Sequence, residues 1–474
     1  AIEAAATGLS NLFIDLNKHA KQVTRDRLIL LEDNEPQAIC VRAAMSTRLE
    51  PDVSALEADA SSIPLSLVDW HTGSAKFDRG PYITSVLMLD RLVASILGKA
   101  PVSDYLDYDN VRREIDRLEK HLHVDLRHAK DRLTEVRESG QLFVYDREVV
   151  DRIRVAFSET WVPQLCKIFR GFKPYKDFIE LRKANDSVAL DYQHWVYLTS
   201  LSGTEHENEL ERWLIEQDSK SNGKTRGQLN DIATALQEFK RDSNNELAFT
   251  VIFQQALINS WLRFIKFTVA DFNDIKNIEI DIGNLDEDEE EIKLHDPDDQ
   301  TLSYFENVSK RTDQFLEAVN RVIENYDDFL NLRVAIPPGE ANCKNGKFWA
   351  GAFLKVEDDA IDFAAAAAVR GADLMHVIVS MIVFDDTNQP DEESDFNEFW
   401  NRIYEENPPP FLREIKAAIN RMVNSNGGGG QAHRIINAME INFADEADPE
   451  AVFEEFKLNE IKERLKFIWK KLKL

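Results

Sequence analysis

"DNVRREIDRLEKHLHVDLRHAKDRLTEVRE" occupies Asp109–Glu138, and the spacing of its apolar residues decides how the chain is read. Val111, Ile115, Leu118, Leu122, Leu126, Ala129, Leu133 and Val136 recur at steps of three and four. A 3.6-residue period gathers such steps into one stripe, so the segment predicts a single helix of about seven or eight turns. The other faces carry Arg, Lys, Asp and Glu, and Gly140 supplies a stop.

The same period returns elsewhere. Phe305, Val308, Thr312, Phe315, Val319, Val322, Tyr326 and Phe329 form a second stripe, with Pro337, Pro338 and Gly339 as its breakers. Leu458, Ile461, Leu465, Ile468 and Leu472 form a third at the C-terminus. Shorter helical patterns surround Trp213 and Leu214, and run from Ile232 to Phe239. "LAFTVIFQQALINSWLRFIKF" (Leu247–Phe267) is apolar on nearly every face, which predicts a helix at the centre of a bundle. Strand signals are few: Gly140–Asp146, Ile278–Gly283 and Lys347–Glu357 read as short strands or hairpin arms. With only 18 Gly and 15 Pro in 474 residues, breakers are too sparse for a many-turned β architecture. The predicted fold class is mainly α, a multi-helix, bundle-like architecture with a few short strands.

Thirteen acidic residues stand against two lysines between Asp271 and Gln300, with "DEDEEE" (Asp286–Glu291) at the centre. Such a block repels itself and buries little, so it reads as a linker or loop. It divides an N-terminal helical region (1–270) from a C-terminal one (301–474) that ends in a basic amphipathic helix.

The net charge is −28, from 85 acidic and 57 basic residues. That balance repels phosphate backbones, so nucleic acid binding requires segregated basic segments. His19–Arg27, Arg117–Arg132 and the C-terminus are the segments that qualify. Cys40, Cys166 and Cys343 are far apart and odd in number, which reads as reduced thiols in an intracellular setting. No signal peptide and no membrane span is predicted. The expected location is the cytoplasm, or a virion for a coat protein.

Three clusters invite a chemical reading. His121, Asp125 and His128, at steps of four and three, would project from one flank of the long predicted helix like transition-metal ligands; as amphipathic neighbours of the stripe they need no metal. Asp358, Asp359 and Asp362 in "VEDDAIDF" spell the DDxxD of class I prenyl-diphosphate enzymes, and "FDDTNQ" (Phe384–Gln389) resembles the Asp-Asp that follows an apolar helix in terpene synthases. That resemblance implies Mg²⁺ bound by Asp358, Asp359, Asp362, Asp385 or Asp386 and bridged to a diphosphate. The sequence departs from it after Asp386, where Thr, Asn and Gln follow, and no second metal motif comes later. The plainer reading is a solvated helix end broken at Pro390. "NSNGGGGQAHR" (Asn424–Arg434) is a glycine loop without the Lys-Ser/Thr of a P-loop, and reads as a connector.

From Lys462 onward six basic residues face one acidic residue. Lys462, Arg464, Lys466, Lys470, Lys471 and Lys473 are therefore the candidate interaction residues, either docking on an acidic body or meeting a polyanion. With no cofactor assigned, the sequence reads as a non-enzymatic, self-assembling structural protein, most specifically a capsid-type shell protein whose partner is itself. The alternatives are an RNA-binding nucleocapsid protein, a Mg²⁺-dependent terpene synthase-like enzyme, and an acidic adaptor for a basic protein.

Overall fold

The computed structural model describes residues 25–31, 35–45, 62–70, 73–78, 80–98, 105–183, 212–213, 215–216, 219, 225–268, 299–332, 336, 347–349, 352–354, 365–388, 396–408, 410–424 and 449–472. In chain order the helices are α1 (Arg25–Leu31), α2 (Pro36–Ala44), α3 (Val86–Ile96), α4 (Tyr108–Leu122), α5 (Arg127–Ser139), α6 (Arg147–Gly171) and α7 (Lys173–Lys183). They continue as α8 (Thr225–Arg241), α9 (Val251–Thr268), α10 (Asp299–Asn325), α11 (Ala365–Asn388), α12 (Phe396–Ile403), α13 (Pro410–Asn424) and α14 (Pro449–Leu472). Two short strands, β1 (Val68–Asp69) and β2 (Thr84–Ser85), pair in parallel. The fold is mainly α, as the periodicity predicts.

Local chemistry sets several of the helix starts. Ser85, Asp107 and Asp146 are N-caps whose side-chain oxygens accept from the backbone N–H of Met88, Asn110 and Val149. α2 begins at Pro36, where the missing N–H costs nothing. Gly140 ends α5 at φ +66°, in the left-handed region open to glycine.

The opening stretch departs from its prediction. Its stripe is buried from Val111 to Leu133, but two helices carry it, not one. His123 takes φ 51° and ψ 45°, the left-handed conformation, and ends α4. The Glu119 carboxylate accepts from Leu126 N–H at 2.9 Å, and Asp125 accepts from Arg127 N–H at 2.9 Å. Those carboxylates supply the acceptors that a continuous helix would have found in its own carbonyls. No Gly or Pro marks the break, and the apolar steps run through it unchanged.

Gly140–Asp146 is also corrected: it belongs to no sheet. The second stripe lies on α10 and stops at Asn325, short of Pro337; Tyr326 and the 3-10 turn Asp327–Leu330 complete it. The predicted strand Ile278–Gly283 and the acidic residues 271–298 lie outside the described residues, as do Cys343 and Gly427–Gly430.

α9 and α11 make the most extensive helix pairing among the described residues. They come from opposite sides of the acidic segment, so both helical regions share one core, from Ile29 to Trp469. Around this pair, α13 packs on α11, α10 on α6 and α9, and α14 on α10, α13 and α11. Gly371 lets α11 approach closely: a Cβ there would lie 2.2 Å from Phe353 Cζ.

Ala366–Phe384 is long and apolar enough to cross a membrane by length and composition, longer than the apolar runs recognised in the sequence. It is 89% buried inside the fold, and Arg370, Asp373 and His376 lie along it. Its apolarity on all sides is that of a central core helix.

Candidate interaction site

The three predicted metal ligands are not brought together. His121 is near the end of α4, packed against Gly98, and its carbonyl accepts from Trp161 Nε1 at 2.7 Å. Burial, helped by Lys120 and Arg117, pushes its imidazole down to about 4. Asp125 sits in the link between helices, paired with Arg127 at 2.7 Å. His128 has turned to Asp146, Nε2 to Oδ2 3.5 Å. The expected common flank needed a continuous helix, and the turn at His123 removes it. Among the described residues no group of three His, Cys, Asp or Glu is arranged to hold a metal. Asp358, Asp359 and Asp362 lie outside the described residues; Asp385 and Asp386 are in the last turn of α11, with side chains also outside them.

The C-terminal helix is built into the body. Ile461, Leu465, Phe467, Ile468 and Trp469 of α14 are buried. Arg464 is buried with them, donating to Glu460 at 3.1 Å. Lys462 lies 5.3 Å from the centre of the Trp400 ring, and Lys471 lies 5.3 Å from that of Phe467. Each ammonium group sits over an aromatic face, where the ring's electron density attracts it. Lys470 is exposed and Lys466 half-buried, while Lys473 lies outside the described residues.

Two buried ionic clips were not legible in the sequence. Asp373, 1% exposed on α11, accepts from Arg421 of α13 through Nη2 at 2.9 Å and Nε at 3.1 Å. It also accepts from Arg263 of α9, so one carboxylate ties three helices. Burial holds Asp373 above the usual carboxylate range and Arg263 below the usual guanidinium range, while their mutual attraction opposes both shifts.

The second clip fixes the 62–85 segment. Arg182 of α7 donates through Nη1 to the carbonyls of Ser66 (2.7 Å) and Pro81 (2.9 Å). Lys240 of α8 is fully buried and donates to the carbonyls of Phe77 (2.6 Å) and Tyr82. Gln254 of α9 donates to Ile83 O and accepts from Thr84 Oγ1. Lys240 also lies over the Phe178 and Phe249 rings, and burial lowers its ammonium to about 7. These groups satisfy carbonyls that two short strands leave open.

The surface of α4, α5 and the start of α6 is laced with ion pairs. Lys130 bridges Asp116 (2.8 Å) and Glu119, Arg137 meets Asp109 (3.0 Å), and Arg132 meets Asp146 (3.4 Å). The basic segment Arg117–Arg132 is thereby largely paired within the chain. Beside it lies an apolar corner. Leu106 is 51% exposed, Leu142 57% and Val144 36%, half of the six exposed large apolar side chains among the described residues. They are held together by Phe143 N–H donating to Tyr105 O at 3.2 Å and by Tyr108 O–H donating to Gln141 O at 2.9 Å.

The chain matches no family model, no curated protein and no solved structure. Of the corner, Leu142 and Val144 had a sequence signal, the β-branched and aromatic run in "QLFVYD" that reads as a short strand; Leu106 had none.

Proposed function

We propose that this protein is a non-enzymatic structural component that assembles with copies of itself, most specifically as a capsid-type shell protein. The observation that carries this reading is the apolar corner of Leu106, Leu142 and Val144, at the end of the hairpin where the exposed pair Arg137–Asp109 lies. An apolar cluster rimmed by polar groups is the usual composition of a contact surface. The pairing of the hairpin's cations favours a shell over a nucleocapsid, because Lys130, Arg127, Arg132 and Arg137 are engaged by carboxylates of the same chain. A groove for RNA needs such cations turned toward phosphate. The net charge of −28 agrees, since a shell around a freely packed genome needs no basic lining.

Sedimentation velocity and light scattering of the purified chain, over a wide range of concentration, salt and pH, test the proposal. The expected result is concentration-dependent growth into particles visible by electron microscopy. A monomer under every condition would sink it.

A further inference from the structure

Unlike the cations of the hairpin, four lysines where α12, α13 and α14 meet stand over rings or in the open. Trp400 and Tyr404, at the end of α12, have ring centres 5.3 Å apart. Lys462 of α14 lies over Trp400 at 5.3 Å, and Lys416 of α13 lies over Tyr404 at 5.1 Å. Lys466 and Lys470 follow Lys462 at steps of four, on one flank of α14. Trp469 packs on Phe396 and Phe399 at 5.8 and 6.0 Å, so α14 runs along α12 here. Lys470 is exposed, and Lys416, Lys462 and Lys466 are half-buried.

Among the described residues none of these four lysines forms an ion pair; the pair made by α14 is Arg464–Glu460. Glu405, Glu406 and Glu463 are close along the chain, yet they do not pair with them. In a chain of net charge −28, four cations without a carboxylate make a positive island. The rings already hold Lys416 and Lys462 in place, so an incoming anion has less left to order.

Building on the self-assembly reading, we propose that this island receives the acidic run Asp286–Glu291 of a second copy of the chain, in a head-to-tail contact. Charge complementarity selects that occupant: six consecutive carboxylates form the longest unbroken acidic run in the sequence. A long polyanion would also meet the acidic remainder of the body and be repelled, whereas a short run meets the island alone. A contact between two different patches of one chain repeats from copy to copy, and closes or extends according to the rotation between them.

Reach favours a second copy over the run's own chain. Tyr326, just past the end of α10, meets Phe467 of α14 edge-on at 5.2 Å. Asp299, at the start of α10, lies about 40 Å from Tyr326 along the helix axis, at 1.5 Å per residue. Glu291 precedes Asp299 by eight residues, which span at most about 29 Å when fully extended. The chain's own run therefore ends about 10 Å short of Phe467, which lies between Lys466 and Lys470.

The test is carbodiimide coupling of the assembled full chain, prepared from equal parts of isotopically light and heavy copies. The reagent condenses a lysine amine with a carboxylate that it touches. Mass spectrometry should find Lys416, Lys462, Lys466 or Lys470 joined to a residue of Asp286–Glu291 in peptide pairs of mixed isotope. Coupling within one isotope only, or none at these residues, overturns the proposal. A second arm compares the wild type with Lys466→Glu/Lys470→Glu, after circular dichroism shows unchanged helix content. The concentration for half-assembly should rise at least about tenfold, the change made by ~1.4 kcal/mol, and the difference should shrink at high salt. A wild type that assembles beside an equally assembling variant overturns the contact and leaves the proposed function standing. A wild type that never assembles overturns both. Single-stranded RNA is the competing probe: RNA held by the wild type and lost in the variant, with assembly unchanged, overturns the proposal in favour of phosphate.

Discussion

The α9–α11–α13 interior and the α4–α5 hairpin handle charge in opposite ways. In the interior one carboxylate, Asp373, is shared by Arg263 and Arg421 with almost no access to water. On the hairpin many carboxylates meet many cations in the open, as at Asp116–Lys130 and Asp109–Arg137. A buried charge that loses its partner remains unsolvated, whereas an exposed one returns to water. A few interior groups therefore matter far more than the dense surface pattern. The exposed apolar residues differ too: of the large apolar side chains described on α9, α11 and α13 Val369 is the exposed one, whereas the short segment after the hairpin presents both Leu142 and Val144.

The largest break in this contrast should come from Asp373→Ala. It leaves the half-buried Arg263 guanidinium without its carboxylate, while Arg421, 41% exposed, keeps Glu414 at 2.7 Å and water, so a loss of roughly 2–3 kcal/mol is expected from urea unfolding. A loss below ~1 kcal/mol would show that the clip contributes little. Next is Gly371→Ala, whose methyl group meets the Phe353 ring; about 1–3 kcal/mol of destabilisation should appear as a lower midpoint at constant slope.

The pH profile sharpens the comparison further. Lys240 is lowered to about 7 and Lys457 to about 8, both chiefly by burial, from an ordinary 10.5. Between the folded and unfolded values the unfolded chain holds more protons, so stability should rise with pH from about 7 to 10.5. Lys240→Met should flatten that rise, by up to roughly 1.4 kcal/mol per pH unit; an unchanged profile would refute the burial argument. His121 and His376, held at about 4 and about 3 chiefly by burial, act at the acid end. Their contribution is complete above 6.5 and is lost as pH falls toward those values, which acid titration of the fold would detect. The smallest effect belongs to the hairpin surface: Asp109→Asn should change stability by less than ~1 kcal/mol, because its pair with Arg137 is solvated.

Leu247–Phe267 shows how much of the fold was legible. Apolar on every side, it predicted a central helix, and α9 is that helix. The stripes of Val111–Leu133, α10 and α14 were legible for the same reason: periodicity records which residues must leave water. The candidate site was legible only in part. "QLFVYD" announced a strand, and the alternation is present, but no sequence pattern says whether a strand finds its partner within the chain. The basic residues near the C-terminus announced a charged helix without revealing that Lys462 covers Trp400 and Arg464 lies buried beside Glu460.

By itself the sequence determined the helical class, the faces that pack and the acid excess, because these depend on neighbours within a few residues along the chain. Tertiary structure alone decided that His121, Asp125 and His128 part company at a left-handed His123, and that Asp373 joins helices from both sides of the acidic segment. It also decided that Leu142 and Val144 face outward. A helix break and a buried ion pair each depend on which distant groups supply or withhold a hydrogen-bonding partner, and spacing along the chain carries no record of that.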